Sequence, residues 1–191
     1  MPIQSNLLKV VLADKDIEQR WRKLPASKKL MLKNCQFVFM DFDGVFTDNK
    51  VYVDEQGREM VRCDRSDAYG VELLNKQAGV EFMIISSETN LLVSARAKKV
   101  GIPCRQGVVD KLKVLNKMSS SKKISLKDVI YIGNDINDLD CLQAVGLAVT
   151  VSDAYPPIRK YAGLITAHAG GNGALREVFE LLIIAQLAHK N

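Results

Sequence analysis

The stretch FVFMDFDGVFTD, residues 37–48, joins four apolar residues to two carboxylates that follow them directly. The run Phe37–Met40 is typical of a strand buried on both faces of a parallel sheet. Asp41 and Asp43 then stand at the carboxyl end of that strand, just before Gly44. Like charges beside a core are costly unless a cation neutralises them. The stretch therefore predicts a Mg²⁺ site or, alternatively, an Asp-rich turn in which Gly44 supplies a positive φ.

Two later apolar runs end in polar residues in the same way. Phe82–Ile85 precedes Ser86, and Val129–Ile132 precedes the cluster at 133–138. In open α/β sheets, ligands bind at the edge formed by the carboxyl ends of the strands. The three polar clusters are therefore predicted to converge on one site.

The rest of the chain alternates between strand and helix patterns, which predicts βαβ units and a parallel sheet. Residues 51–53 and 59–63 flank a turn-rich tetrapeptide and predict a β-hairpin. The predicted helices are 67–78, 90–99, 110–118, 137–144 and 173–189, and the further short strands are 147–151 and 163–166. Residues 1–33 are predicted to form a helical extension or linker ahead of a domain at 34–191.

Composition excludes several classes of protein. The chain is 47% hydrophobic and carries a net charge of +5, but it has no long Lys/Arg run with interleaved aromatics. Nucleic-acid binding is therefore not expected. No apolar stretch reaches the 18 residues of a membrane span, and no signal peptide is evident. The four cysteines lack zinc spacing and fit a reducing compartment, so we expect a cytoplasmic protein.

Each of the remaining polar residues, taken alone, has two alternative roles. Asn134, Asp135 and Asp138 read either as metal ligands or as the acidic first turn of a helix. Ser86 could contact a phosphoryl oxygen or simply cap the next helix, and Lys111 could be catalytic or solvated. Their combination with Asp41 and Asp43 favours the catalytic interpretation.

This combination resembles the haloacid dehalogenase phosphatase superfamily, whose four motifs are DxDG, a Ser/Thr, a Lys and an acidic cluster. The resemblance covers about residues 36–188. Four stretches narrow it to one subfamily: Asp41–Asp48, Arg65–Gly70, Gly107–Lys111 and Gly170–Glu177. That subfamily contains 3-deoxy-manno-octulosonate 8-phosphate phosphatases, nonulosonate (KDN, sialic acid) 9-phosphate phosphatases and phosphatase-like domains fused to acylneuraminate cytidylyltransferases.

The resemblance implies a Rossmann-like parallel sheet with helices on both faces, a small hairpin flap and no large cap domain. It implies that Asp41 is the nucleophile and that Asp43 is the general acid and base. The implied metal ligands are Asp41, Asp43, Asn134, Asp135 and Asp138. The implied phosphate- and substrate-binding residues are Gly44, Arg65, Ser66, Asp67, Ser86, Ser87, Glu88, Arg96 and Lys111. A capless site is expected to be closed by assembly into a homotetramer.

The sequence differs from the pattern of the subfamily at two places, one of which bears on the substrate and the other on the metal. Octulosonate phosphatases carry Thr-Gly-Arg where this chain has Ser86-Ser87-Glu88, and a glutamate cannot pair with a sugar carboxylate. This difference favours a nonulosonate 9-phosphate over octulosonate 8-phosphate. The sugar carboxylate would then meet Arg65, Arg96 or a residue of a neighbouring subunit, or lie farther out. Asn134 stands where many relatives have Asp, so it offers a neutral oxygen to the metal.

Two other functions compete with an active phosphatase. A weakly active, oligomerising module of a sialic acid activation system would suit the linker-like residues 1–33, but intact Asp41 and Asp43 argue against decay. A phospho-accepting signalling receiver also uses Asp and Lys, but it would give Asp43 no role.

Overall fold

The computed structural model describes residues 2–77 and 79–187. In chain order the elements are α1 (Pro2–Ala13), α2 (Lys15–Lys23), α3 (Ala26–Asn34), β1 (Phe37–Met40), β2 (Thr47–Val53), β3 (Glu59–Cys63), α4 (Arg65–Gln77), β4 (Glu81–Ile85), α5 (Leu92–Val100), β5 (Cys104–Arg105), α6 (Lys111–Ser121), β6 (Val129–Gly133), α7 (Leu139–Ala144), β7 (Leu147–Thr150), β8 (Leu164–Ile165) and α8 (Ala174–Leu187). Short 3₁₀ turns occupy Leu126–Asp128, Ile136–Asp138 and Pro156–Tyr161.

Strand β1 lies at the centre of a six-stranded parallel sheet of order β5-β4-β1-β6-β7-β8. Its four residues are all buried, because strands flank both of its edges and helices cover both faces of the sheet. Met40, the last residue of β1, pairs with Ile84 on one side and Ile132 on the other. The carboxyl ends of β1, β4 and β6 therefore lie side by side, as the sequence predicts.

Helix α8 is the main support of one helical layer. It contacts α1, α2, α3 and α4, and most of its surface is buried. A helix that is apolar on nearly all sides is a buried one, so the composition of α8 explains its position. The α/β architecture with helices on both faces agrees with the prediction.

The small flap is the β2–β3 hairpin, which forms a separate two-stranded antiparallel sheet. Asp54 stabilises its turn by accepting hydrogen bonds from the backbone amides of Gln56 and Arg58. The hairpin is the only insertion between β1 and α4, so no large cap covers the edge of the sheet within the described residues.

Residues 2–34 form three helices, α1, α2 and α3. The second begins after Asp14, whose side chain accepts hydrogen bonds from the amides of Asp16 and Ile17. Leu8, Val11, Ile17 and Leu32 are buried in the common core. This packing favours an integral helical layer over a linker, while the domain boundary at residue 34 stays a prediction.

The element boundaries differ from the sequence predictions by a few residues. Strand β5 was not predicted, because two residues are too few to show a periodicity. The predicted ends of two helices, at residue 78 and at residues 188–189, lie outside the described residues. None of the helices in the described part of the chain has the length and apolarity needed to cross a membrane.

The integral role of the helical layer can be tested at α3. Leu32 is 0% exposed whereas Leu30, on the same helix, is 56% exposed. We expect Leu32→Ala to lower the free energy of unfolding by about 2–5 kcal/mol, because it leaves a cavity under α8. Leu30→Ala should change it by less than about 0.5 kcal/mol. Urea denaturation of both variants measures the difference, and equal effects would show that α3 is not part of the folded unit.

Candidate active site

Three strand ends deliver the polar residues of the site. Asp41 follows β1, Ser86 follows β4 and Asn134 follows β6, and all three are buried. Two cavities of about 260 Å³ each lie at this edge and share Asp41, Asp43 and Asn137. The first is also lined by Asn49, Asn134 and Asp135, and the second by Ser86, Ser87 and Glu88.

A buried chain of three charges lies beneath these cavities. The Lys111 Nζ atom lies 2.7 Å from Asp41 Oδ2 and 2.7 Å from Asp138 Oδ1. Lys111 reaches this position because Asp110 caps the start of α6, accepting a hydrogen bond from the Lys113 amide. A single cation thus compensates two carboxylates where little water can reach them.

Asp138 has no acceptor capacity left for a ligand. Its Oδ1 atom accepts from Lys111 Nζ and the Tyr131 hydroxyl, at 2.7 Å each. Its Oδ2 atom accepts from the amides of Asn134 at 2.8 Å and Asp135 at 3.3 Å. A carboxylate has about four acceptor sites, and all four are filled. The structure therefore disfavours the predicted role of Asp138 as a direct metal ligand and gives it a positioning role.

Asp41 keeps acceptor capacity that Asp138 lacks. Its Oδ1 atom accepts from the Phe42 amide at 2.7 Å, and Oδ2 contacts Lys111, so about two of its four sites are used. The remaining lone pairs are available to a metal ion or to a phosphorus centre. This geometry supports the predicted roles of Asp41 as nucleophile and metal ligand.

The electrostatics of the site follow from burial. The pKa of Asp41 is raised to about 7, chiefly by burial and further by the charge of the nearby Asp138, although Lys111 opposes the rise. Burial alone would lower the pKa of Lys111, but Asp41 and Asp138 more than reverse this and raise it. Burial, followed by the negative charge of Glu88, raises the pKa of Asp43. The mouth of the site therefore disfavours further negative charge and favours a cation.

Gly44 lets the turn after β1 bring its backbone against Asn134. Its φ is +76°, and an added Cβ would lie 2.1 Å from Asn134 Nδ2. Thr47 braces the same turn: its Oγ1 accepts from the Gly44 amide at 3.1 Å and donates to Asp43 Oδ1 at 3.5 Å. Gly44 therefore serves the geometry of the turn, whereas its predicted contact with phosphate stays a prediction.

Asn134 supplies the observation that fits a metal ion. Its Oδ1 atom is buried and has no hydrogen-bond partner among the described residues. An unpaired buried carbonyl oxygen beside Asp41 is a natural ligand for a hard cation. No group of three His, Cys, Asp or Glu side chains converges within the described residues, so a metal must also use amide or backbone oxygens. Mg²⁺ accepts such ligands and commonly keeps several waters.

Ser86, Ser87 and Glu88 form the second side of the site. Ser86 is buried, and its Oγ atom accepts from the Glu88 amide at 3.1 Å. Glu88 Oε1 accepts from the amides of Thr89 and Asn90, which fixes the side chain at the cavity wall. Glu88 therefore places a negative charge beside Asp43, where the sequence predicted that it would meet the substrate.

Four of the predicted substrate-binding residues lie away from Asp41 and line neither of its two cavities. Arg65 and Arg96 line a separate cavity of about 370 Å³ between α4 and α5. Ser66 lines a fourth cavity, against α2 and the start of α8. Asp67 is buried and accepts from the amides of Gly173 and Arg176, so it caps α8. Within one chain the fold does not bring these residues to Asp41, and their substrate contacts stay predictions.

Two residues of the site were missed by the sequence prediction. Asn137 lines both cavities at Asp41, and its Nδ2 atom donates to Ser87 Oγ at 3.4 Å. Tyr131 lies within β6 and reads as an ordinary core residue, although its hydroxyl fixes Asp138. Asn137 belongs to the acidic cluster and was visible there, whereas no pattern in the sequence distinguishes Tyr131.

Comparisons with known proteins agree with this geometry. Residues 105–178 match the model of the haloacid dehalogenase-like hydrolase family. The chain is 34% identical over 165 residues to the 3-deoxy-D-manno-octulosonate 8-phosphate phosphatase KdsC of Escherichia coli (strain B / BL21-DE3). The aligned region covers 85% of this chain and 87% of that protein.

Two solved structures of 3-deoxy-D-manno-octulosonate 8-phosphate phosphatases are also similar to this chain. The 3-deoxy-D-manno-octulosonate 8-phosphate phosphatase of Yersinia pestis superposes with a TM-score of 0.82 at 32% identity, covering 85% of this chain and 88% of that one. The enzyme of the same name from Moraxella catarrhalis, solved in complex with a magnesium ion, a phosphate ion and KDO, gives a TM-score of 0.79 at 32% identity, covering 83% and 91%.

The buried charge chain generates a stability prediction. Lys111→Met leaves Asp41 and Asp138 without their shared cation, so we expect the free energy of unfolding at pH 8 to fall by about 3–5 kcal/mol. Lys113→Met, at an exposed position on the same helix, should change it by less than about 0.5 kcal/mol. Denaturant titration measures both values. A loss at Lys111 no larger than at Lys113 would contradict the charge assignment.

Proposed function

Since this chain belongs to the haloacid dehalogenase-like hydrolases, we propose that it is a Mg²⁺-dependent phosphatase acting on a phosphorylated 3-deoxy-2-ulosonic sugar acid. The observation that carries the proposal is the Asp41 carboxylate, held by Lys111 at the end of the central strand and facing a cavity that it shares with Asp43. An alternative role as an inactive oligomerisation module is not favoured, because Asp41 and Asp43 are both present and the similar proteins are phosphatases.

The chemistry divides between the two aspartates. Asp41 attacks phosphorus, so that a bond forms between its carboxylate oxygen and phosphorus while the bond to the sugar oxygen breaks. The departing alkoxide takes its proton from Asp43, whose raised pKa favours the protonated form. Asp43 then removes a proton from the water that hydrolyses the aspartyl-phosphate. The products are the free sugar acid and inorganic phosphate.

We infer that Lys111 and Ser86 hold the transferred phosphoryl group. An ammonium group has three donors, and Asp41 and Asp138 occupy two of them. The third is available to a phosphoryl oxygen, where negative charge is concentrated in the transition state. The Ser86 hydroxyl can donate its proton to a second oxygen, since its Oγ atom only accepts from the Glu88 amide.

The metal-binding group of the site consists of Asp41, Asn134, Asp135 and the backbone carbonyl of Asp43. These groups would hold a Mg²⁺ ion, which when bound would neutralise charge between the nucleophile and the phosphate. Asn134 contributes the buried Oδ1 atom, which is neutral and gives the metal less charge than a carboxylate would. The negative side-chain charge that binds Mg²⁺ would therefore come from Asp41 and Asp135.

The choice of sugar rests on Glu88. The similar proteins named above act on octulosonate 8-phosphate or contain KDO. Glu88 lines the cavity beside Asp43 and raises its pKa, so its negative charge acts within the site. A sugar carboxylate is repelled there, whereas hydroxyl groups can donate to Glu88. We infer that a nonulosonate 9-phosphate, whose carboxylate lies one carbon farther from the phosphate, fits better than octulosonate 8-phosphate.

The assembly of the enzyme is also part of the proposal. Val51, Tyr52, Val53 and Met60 of the hairpin are all more than half exposed. Large apolar side chains grouped on one hairpin are typical of an interface. We propose a cytoplasmic homotetramer in which the hairpins pack together and a neighbouring chain closes the site. The free cysteines in the structure are compatible with that location.

Replacing the nucleophile tests the proposed function. Asp41→Asn keeps the shape of the side chain but removes its attacking charge, so kcat should fall by at least ~10³-fold. Phosphate release from octulosonate and nonulosonate phosphates in the presence of Mg²⁺ measures the loss. Removing the metal with EDTA should abolish turnover of the unaltered enzyme. Full activity of Asp41→Asn, or in excess EDTA, would contradict the mechanism.

Exchanging the charge at Glu88 tests the substrate assignment. We expect the unaltered enzyme to favour the nonulosonate substrate by about 1–3 kcal/mol in kcat/KM, the usual worth of one buried polar mismatch. Glu88→Arg should shrink or reverse this preference, because the guanidinium can pair with a carboxylate. A small aryl phosphate has no sugar to contact residue 88, so its turnover measures the separate effect of the charge change on Asp43.

Glu55→Arg provides the control, because it makes the same charge change at an exposed position in the hairpin turn. It should leave the substrate preference where it was. An unaltered ratio in Glu88→Arg would show that Glu88 does not recognise the sugar.

A further inference from the structure

The turn that carries Asp41 and Asp43, residues 41–48, is held from outside by residues 166–173, which we call the glycine segment. The Gly171 amide donates to the Val45 carbonyl at 3.0 Å. An added Cβ on Gly170 would lie 1.9 Å from the Gly44 carbonyl oxygen, and one on Gly171 would lie 2.5 Å from the Asp48 amide. The two backbones therefore touch directly, and the position of the turn depends on the position of the glycine segment.

Glu177, in the first turn of α8, holds the glycine segment. Its Oε2 atom accepts from the amides of Ala167 at 2.8 Å and His168 at 3.3 Å, and it lies 2.9 Å from His168 Nδ1. The Glu177 side chain is 2% exposed. A carboxylate so deeply buried needs a positive partner.

Arg20 of α2 is that partner. Its Nε atom lies 2.6 Å from Glu177 Oε1, and its Nη2 atom donates to the Ile165 carbonyl at 2.7 Å. One guanidinium thus contacts Glu177 and the backbone at the start of the glycine segment. The contacts run from the N-terminal helical layer through Glu177 to the turn that carries Asp43.

The contacts that begin at Arg20 end at Asp43, the proposed general acid and base. Thr47, whose carbonyl carbon lies against Gly171, donates to Asp43 Oδ1 and accepts from the Gly44 amide. Misplacing a catalytic group by about 1 Å can cost about 10²-fold in rate, even when the altered residue is remote from the chemistry. A shift of the glycine segment would reach Asp43 without altering any residue of the site.

We propose that Arg20 is a positioning residue for the phosphatase reaction: through Glu177 it fixes the glycine segment against the turn at 41–48 and so orients Asp43. The inference rests on the proposed function, since it gives Asp43 the role of general acid and base. It assigns to helix α2 a part in catalysis, although α2 contributes no side chain to the cavities at Asp41.

Hydrogen exchange in the folded chain tests the positioning directly. Arg20→Ala should speed the exchange of the Phe46, Thr47 and Gly171 amides by about tenfold or more, because local opening becomes easier. The Phe39 amide, within β1, should keep its rate. Arg22→Ala is the matched control, because Arg22 lies on the same helix and pairs only with Glu18 among the described residues. It should leave all four amides unchanged.

Kinetics provide the second readout. With a small aryl phosphate as substrate, Arg20→Ala should lower kcat about 10–100-fold while KM changes by less than about threefold. Arg20→Lys keeps the charge and should recover most of the loss. Glu177→Gln should resemble Arg20→Ala, and the double variant should lose little more than either single variant, because both act through one contact.

The possible outcomes separate the two proposals. Unchanged exchange at Phe46, Thr47 and Gly171 would overturn the positioning role whatever the activity. Faster exchange at Phe39 as well would also overturn it, because the effect would then be a general loss of stability. If the unaltered enzyme releases no phosphate from any substrate, the proposed function fails, and the exchange pattern alone decides the role of Arg20.

Discussion

The site depends on one buried ion-pair network at the end of β1, the central strand. In it the carboxylates of Asp41 and Asp138 share the ammonium group of Lys111 away from water. Lys111 can serve both Asp41 and Asp138 only because α6 begins at that residue, beneath the neighbouring ends of β1 and β6. Charges in such surroundings interact strongly, so a small displacement of any one alters the pKa values of the others. The sheet order, the cap at Asp110 and the filled acceptors of Asp138 all maintain this arrangement.

The residues that could be predicted from the sequence are those that follow strand ends. Asp41, Ser86 and Asn134 each come after an apolar run, and parallel strands place their carboxyl ends on one edge. The role of Asp138 could not be predicted, because it depends on Tyr131, a residue whose neighbours in β6 are equally apolar. A sequence pattern predicts where a strand lies and ends, but it does not predict that the buried Tyr131 hydroxyl donates to Asp138.

The N-terminal helices and the arginines show a second limit. Asp14 breaks the helical pattern through hydrogen bonds to two amides, which periodicity does not reveal. The burial of Leu32 depends on α8, which follows more than a hundred residues later in the chain. Arg65 and Arg96 belong to motifs that suggest substrate contact, yet the packing of α4 against α5 places them at a separate cavity. Local patterns predicted the elements, whereas tertiary packing decided which side chains meet.

The central position of β1 has a consequence for how the chain acquires its structure. Phe37 pairs with Glu81 on one side and with Val129 on the other, so the central strand needs partners from widely separated parts of the chain. Closing such long loops costs entropy before any contact repays it, and this slows folding. During synthesis, β1 and its acidic turn emerge early, but they lack one edge partner until β6 has left the ribosome. Until β6 is made, the nascent chain therefore carries an apolar strand with one unpaired edge, where association with another unfinished chain is a hazard on the route to the native state.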